Sequence, residues 1–151
     1  RSFERSGLEN MKLLIDTNVV LDLLLKREPF YQEAAEVLKL AQRDGIQEYV
    51  SASAITDIYY IAHKMLRDSA AVRALLQKLL MVVSVAAVSQ REIFHALELA
   101  WGDFEDCVQY SVAFTNEMDG LVTRNPGDYK ESKLPVWQPS QLLQQFSAGN
   151  K

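Results

Sequence analysis

"MKLLIDTNVVLDLLLKR", residues 11–27, joins two patterns without a break. "MKLLID" is a short apolar run ending on Asp16 and reads as a buried strand. "TNVVLDLLLKR" then carries Val19, Leu23 and Lys26 at helical spacing. A strand running straight into a helix sets the expectation for the rest of the chain.

The alternation continues outward. Pro29 suits a helix start, Phe30, Ala34, Val37, Leu38 and Ala41 form its apolar stripe, and Gly45 ends it. "EYVSAS" (48–53) is a candidate strand. Ser53 is expected to cap the next helix, whose stripe is Ile55, Ile58, Ala62 and Met65, with Asp57 beside it. "SAAVRALLQKLL" reads as a helix and "MVVSVAAV" (81–88) as a valine-rich strand. Ser89 and Glu92 match a capping box at the head of "SQREIFHALELAW". "DFED" opens a further helix, capped by Asp103. "GLVT" is a strand, "RNPGDY" a turn, "LPVW" an edge strand and "PSQLLQQF" a terminal helix. Strands alternating with helices predict an α/β fold, a three-layer α/β/α sandwich with a mainly parallel central sheet.

With 151 residues, 48% of them hydrophobic and 24% charged, the chain suits one domain with an ordinary core. "RSFERSGLEN" (1–10) lacks apolar periodicity and reads as a cloning remnant or disordered leader. Residues 11–146 make the domain, and 147–151 are expected as a disordered tail. Arg1 and Arg5 balance Glu4 and Glu9, so the net charge of −4 belongs to the domain itself. That balance argues against coating nucleic acid through bulk positive charge, though not against a nuclease whose metal site consumes acids. Cys107 is the single cysteine, which removes an intrachain disulfide and a multi-cysteine zinc site and fits a reducing compartment. The longest apolar run, "LLMVVSVAAV", is about half a membrane span, so a cytoplasmic protein with no membrane segment is expected.

Ligands of open parallel sheets bind outside the carboxyl ends of the strands, where Asp16 stands with the polar Thr17 and Asn18 beside it. Asp57 falls in the nearly all-apolar "AITDIYYIA", a costly place for a lone carboxylate. Asp103 and Asp106, three residues apart, share one side of a helix start and repel unless a cation or a ring of donors sits between them. Glu105 is expected to point elsewhere, on the surface. Thr123, Asn125 and Asp128 leave the carboxyl end of another strand. Each acid also has a plainer role available: Asp16 and Asp103 as helix caps, Asp57 as an exposed or dipole-stabilised first-turn residue, and Asp128 in turn chemistry. Taken together, hard oxygen ligands from four segments select Mg²⁺ or Mn²⁺, ions that polarise a phosphoryl oxygen and activate water.

Lys26, Arg27, His63, Lys64 and Arg124 follow or interrupt these segments and are candidate phosphate contacts, against the alternative of a solvated surface. Tyr59, Tyr60 and Trp137 could stack on bases or pack in the core. His63 and His95 sit on different helices with no nucleophile in evident reach, so a triad is unsupported. Cys107, beside a carboxylate that discourages a thiolate, reads as a small buried residue.

"LLIDTNVVLDLLLKREPF", "VSASAITDIYYIAHK", "DFEDCVQYSVA" and "LVTRNPGDY" together resemble the four signature blocks of the PIN domain, over about residues 11–146. PIN domains are Mg²⁺- or Mn²⁺-dependent ribonucleases, and many bacterial ones are toxins of type II toxin–antitoxin systems. The resemblance implies that Asp16, Asp57 and Asp106 hold the metal and carry catalysis with Asp103. Asn18, Thr123, Asn125 and Asp128 would support them or bind a second ion, and Arg124, Lys26, Arg27 and Lys64 would contact substrate phosphates. It also implies an RNA substrate, an antitoxin partner and a homodimer. The second acid, frequently Glu in the family, is here the shorter Asp57, and Asn125 stands where many members carry a fourth acid. A catalytically weak PIN-like module that binds RNA or protein is the competing expectation. A phosphate-handling receiver or phosphatase domain lacks a suitably placed Lys.

Overall fold

The computed structural model describes residues 10–43 and 45–149. Five strands, β1 (Met11–Ile15), β2 (Ile46–Ser51), β3 (Ser84–Ala86), β4 (Gly120–Val122) and β5 (Val136–Trp137), form one sheet in the order β3-β2-β1-β4-β5. Every neighbouring pair is parallel. The described helices are α1 (Thr17–Leu24), α2 (Tyr31–Lys39), α3 (Ala52–Leu66), α4 (Ser69–Leu79), α5 (Gln90–Leu99), α6 (Phe104–Thr115) and α7 (Pro139–Gly149).

Strand side chains alternate between faces, and the two faces carry separate cores. Leu13, Ile15, Val50 and Val122 pack with α1, α2, α3, α4 and α7 on one side. Leu14 and Leu121 pack with α5 and α6 on the other. These are the three layers expected. β1 lies in the middle, and the chain builds β2 and β3 to one side of it before crossing to β4 and β5 on the other. The crevice between the carboxyl ends of β1 and β4 is therefore the topological switch point, where ligands of such sheets bind.

Three local expectations are corrected. β2 stops at Ser51, and Ser51, not Ser53, caps α3: its Oγ accepts from the Ala54 N–H at 3.2 Å. The strand read over 81–88 shrinks to Ser84–Ala86. The N–H groups of Met81, Val82 and Val83 bond instead to carbonyls of Lys78 and Leu79 at the end of α4, so they cannot join a ladder. Last, α7 runs to Gly149, so residues 147–149 belong to a helix and not to a tail. The expectations for residues 1–9, 150 and 151 fall outside the described residues.

The capping box is present as read, with Ser89 and Glu92 joined reciprocally. Thr115 Oγ1 also donates to Glu92 at 2.7 Å, tying α5 to α6. Hydrogen bonds from Ser89, Thr115 and Arg91 outweigh burial and hold the Glu92 carboxyl down at about 2. The sheet interior contains one anomaly. Glu48 pairs in register with Leu13, is 2% exposed, and has no hydrogen-bond partner for either carboxyl oxygen. Burial pushes it up to about 8.

Candidate active site

Asp16 leaves β1 with extended backbone and becomes the N-cap of α1. Its own N–H donates to the Val122 carbonyl at 2.9 Å, carrying the β1–β4 ladder one residue past the strand. The carboxylate is 8% exposed and every donor around it is aimed at it. The Thr17 N–H reaches Oδ1 at 2.7 Å and Gln109 Nε2 at 3.2 Å. The Thr123 hydroxyl reaches Oδ2 at 2.8 Å, the Tyr129 phenol at 3.2 Å and Asn18 Nδ2 at 3.5 Å. Five donors from four segments fix one rotamer and satisfy the buried carboxylate with hydrogen bonds.

Those donors are themselves held. The Ser51 hydroxyl donates to Gln109 Oε1, leaving the amide NH₂ to face Asp16. Asn18 spans the crevice: Nδ2 donates to Thr123 Oγ1 at 3.3 Å, and Oδ1 accepts from the Arg124 N–H at 3.2 Å. Burial and the charges of Asp16 and Asp106 drive the Tyr129 phenol far above its ordinary range, so it remains a proton donor.

Around this corner stand acids from three further places. Asp57 on α3, Glu105 and Asp106 in the first turn of α6, and Asp128 in the short 3-10 turn Pro126–Tyr129 line one pocket with Asp16, of about 480 Å³. Burial, then the charges of Asp103, Asp128 and Asp16, push Asp106 up to about 7 against a lowering hydrogen bond from Tyr129. Glu105 also rises to about 7, first through a shared hydrogen bond with Asp57, then through burial and the neighbouring charges. Carboxylates crowded in this way suit a cation. The donor set, all hard carboxylate oxygen, fits Mg²⁺ or Mn²⁺ and offers no soft ligand. Among the described residues no three His, Cys, Asp or Glu side chains already close on one point; these acids stand around the pocket walls.

The remaining candidates divide. Asp103 caps α6, its Oδ1 accepting from the Asp106 N–H at 3.0 Å, and lies outside the main pocket lining. Thr123 and Asn18 act on Asp16 through the bonds above. Asn125 gives its backbone N–H to Thr123 Oγ1 at 3.1 Å, and its exposed side chain does not line the pocket. Arg27 does line it. Lys26 and Lys64 are exposed and do not. Arg124 is committed elsewhere: its Nε contacts Asp22 at 2.6 Å, and its guanidinium lies 3.9 Å from the Phe30 ring centre. Tyr60, 69% exposed, stands on the rim, whereas Tyr59 stacks on His63 and Trp137 packs into the core. His95 bonds Ser111 at 2.7 Å and Cys107 is buried.

Glu105 requires a correction, since it faces the pocket and Asp57 rather than away. Sequence reading also missed Gln109, Tyr129, Ser51 and Asp22. Gln109 lies one turn after Asp106, a spacing that could have flagged it. Asp22, 1% exposed, binds Arg27 Nε at 2.9 Å as well as Arg124, and so ties α1 to the segment after β4.

Comparison with known proteins gives a consistent picture. A model of the PIN domain matches residues 12–126. No curated protein sequence matches the chain. Among solved structures, VapBC2 of Rickettsia felis, crystallised with a DNA fragment from its promoter, is 19% identical with a TM-score of 0.64, over 85% of this chain and 100% of that one. VapC20 of Mycobacterium tuberculosis, a sarcin–ricin-loop-cleaving toxin, is 17% identical with a TM-score of 0.58, over 72% and 86%. VapBC-1 of nontypeable Haemophilus influenzae is 18% identical with a TM-score of 0.66, over 86% and 99%. At these identities the likeness is one of fold.

Proposed function

The chain belongs to the PIN domain family, and from that membership we propose that it is a Mg²⁺- or Mn²⁺-dependent endoribonuclease, the toxin of a type II toxin–antitoxin pair. One observation carries the reading: Asp16, Asp57, Glu105, Asp106 and Asp128 line a single pocket at the sheet's switch point, with Asp16 pinned by five donors.

In this reading Asp16, Asp57 and Asp106 hold the ion, with Asp103 and Asp128 supporting them. A bound divalent cation would polarise the scissile phosphoryl oxygen and lower the pKa of an attacking water. Thr123, Tyr129, Gln109 and Asn18 hold the Asp16 carboxylate in place. Glu105 braces Asp57 across the pocket. Arg27, its Nε held by Asp22, turns its remaining guanidinium N–H groups to the substrate phosphate, and Tyr60 offers a ring to a base. The partner role is supported by two of the fold neighbours being VapBC assemblies. An antitoxin segment would occlude the acidic pocket, and a second copy of the chain would form the homodimer. No described helix is long and apolar enough to cross a membrane.

The test is Mn²⁺-dependent cleavage of RNA by the purified protein. Asp16→Asn and Asp106→Asn should each lower the rate at least about a hundredfold with circular dichroism unchanged; full activity in both variants sinks the assignment. The competing reading, a PIN-like module that binds without cleaving, is favoured by the acids standing apart on the pocket walls. Calorimetric titration separates the two, since Mn²⁺ binding that is lost in Asp16→Asn belongs to the enzyme.

A further inference from the structure

The acidic pocket is not a closed end. Asp106 and Asp128 line it on one side, and the same two residues line a second cleft of about 300 Å³ on the other. The two hollows therefore share a wall, and a strand held at the catalytic acids can continue into the second cleft. Its floor and sides differ in chemistry from the first. Trp101 lies there half-buried: its indole packs against Tyr110 at 4.9 Å between centroids and edge-on to Tyr129 at 6.4 Å. The ring is thus fixed by the core while lining the cleft. Gly102 and Gly127 also line the cleft, and a Cβ at either position would meet nothing within 4 Å, so the cleft is open beside both glycines.

Charge decides which part of a nucleotide fits. Asp103, Asp106, Asp128 and Glu131 face Lys130 as the single cation of the cleft lining, a balance that repels phosphate from its interior. A base carries no such charge, stacks on an indole with little regard to sequence, and can donate to carboxylates. Among the bases, guanine alone presents two adjacent donors, N1–H and N2–H, to one carboxylate. Lys130 is exposed and is left to meet the flanking phosphate. Resting on the nuclease reading above for the position of the scissile bond, we propose that this cleft is a nucleobase subsite that stacks a guanine of the substrate on Trp101, with the Glu131 carboxylate accepting from its Watson–Crick edge.

The measurement is binding of hexauridylate and of the same RNA with one central guanosine, without added metal, to the Asp16→Asn protein, which should consume them at least about a hundredfold more slowly than wild type. Affinity is read by anisotropy of end-labelled RNA, which serves every variant; with Trp137→Phe added, quenching of Trp101 as the remaining tryptophan reports stacking where Trp101 is kept. The guanosine-containing RNA should quench it and bind about tenfold more tightly. Trp101→Ala should erase that difference, Trp101→Phe should keep most of it, and Glu131→Gln should lower it without weakening hexauridylate. Gly102→Leu, which fills the open cleft without touching the core, should act like Trp101→Ala, and decides the matter if Trp101→Ala fails to fold. Equal affinity for the two RNAs, unaltered by Gly102→Leu, overturns the subsite. Wild-type protein that still cleaves RNA would leave the nuclease reading standing in that case. Guanine-dependent quenching in a protein that cleaves no RNA overturns the nuclease reading and leaves the subsite.

Discussion

Asp16 and Glu48 are acids of neighbouring strands, each nearly closed off from solvent, and they are treated in opposite ways. Asp16 receives five hydrogen bonds; Glu48 receives none. Burial alone thus does not mark a functional carboxylate. What marks Asp16 is the set of donors from α1, α6, the end of β4 and the following turn, which satisfies its carboxyl oxygens where the sheet opens. Glu48 points into an apolar core and keeps its proton instead.

The contrast can be broken from either side. Removing donors from Asp16 should have the largest effect. Thr123→Val combined with Tyr129→Phe should lower metal-dependent cleavage about 10- to 100-fold, because partners behind a ligand tune it nearly as strongly as the ligand itself. Unchanged metal affinity and rate in that double variant would show that the carboxylate holds its place unaided.

Second in size, Glu48→Leu should stabilise the fold by about 1–3 kcal/mol at neutral pH in urea denaturation, by removing two unsatisfied oxygens. The sign with pH follows from its raised value. The fold favours the neutral acid, so its burden is least below the ordinary value of 4.5 and grows as pH climbs towards about 8. Glu48→Gln should flatten this slope; a wild-type stability that rises from pH 5 to 8, with the same rise in Glu48→Gln, contradicts it.

Asp103 sits between the extremes, with one oxygen engaged on the Asp106 N–H. Asp103→Ala should cost about 1 kcal/mol of stability in thermal unfolding, as loss of a helix cap does. A variant as stable as wild type would show the cap to be idle.

Much of this was readable in the sequence, and the boundary is physical. Asp16 announced itself because an apolar strand ends on it and a helix starts at once. The Ser89–Glu92 box and the Asp103 cap were local patterns within four residues. Gln109 and Tyr129 were hidden, since a neutral amide on an amphipathic helix and a Tyr in a turn become donors to Asp16 only after 93 and 113 residues of chain have been folded back. The place of Glu105 is not legible in its own helix, because its partner Asp57 approaches from another one. The phosphate role read for Arg124 ignored Asp22, whose claim on it spans 102 residues. Glu48 was legible in principle: the alternation Ile46, Glu48, Val50 turns it inward.

The Asp16 N–H, bonded to the Val122 carbonyl beside the central strand, also sets an isotopic clock for the site. In D₂O that amide should exchange only with opening of the whole sheet, among the slowest in the molecule. The Asp128 amide, in an exposed turn bonded only to the Asn125 carbonyl at 3.0 Å, should exchange through local opening. One wall of the pocket would then keep its protons for as long as the fold survives, while the facing wall trades them freely.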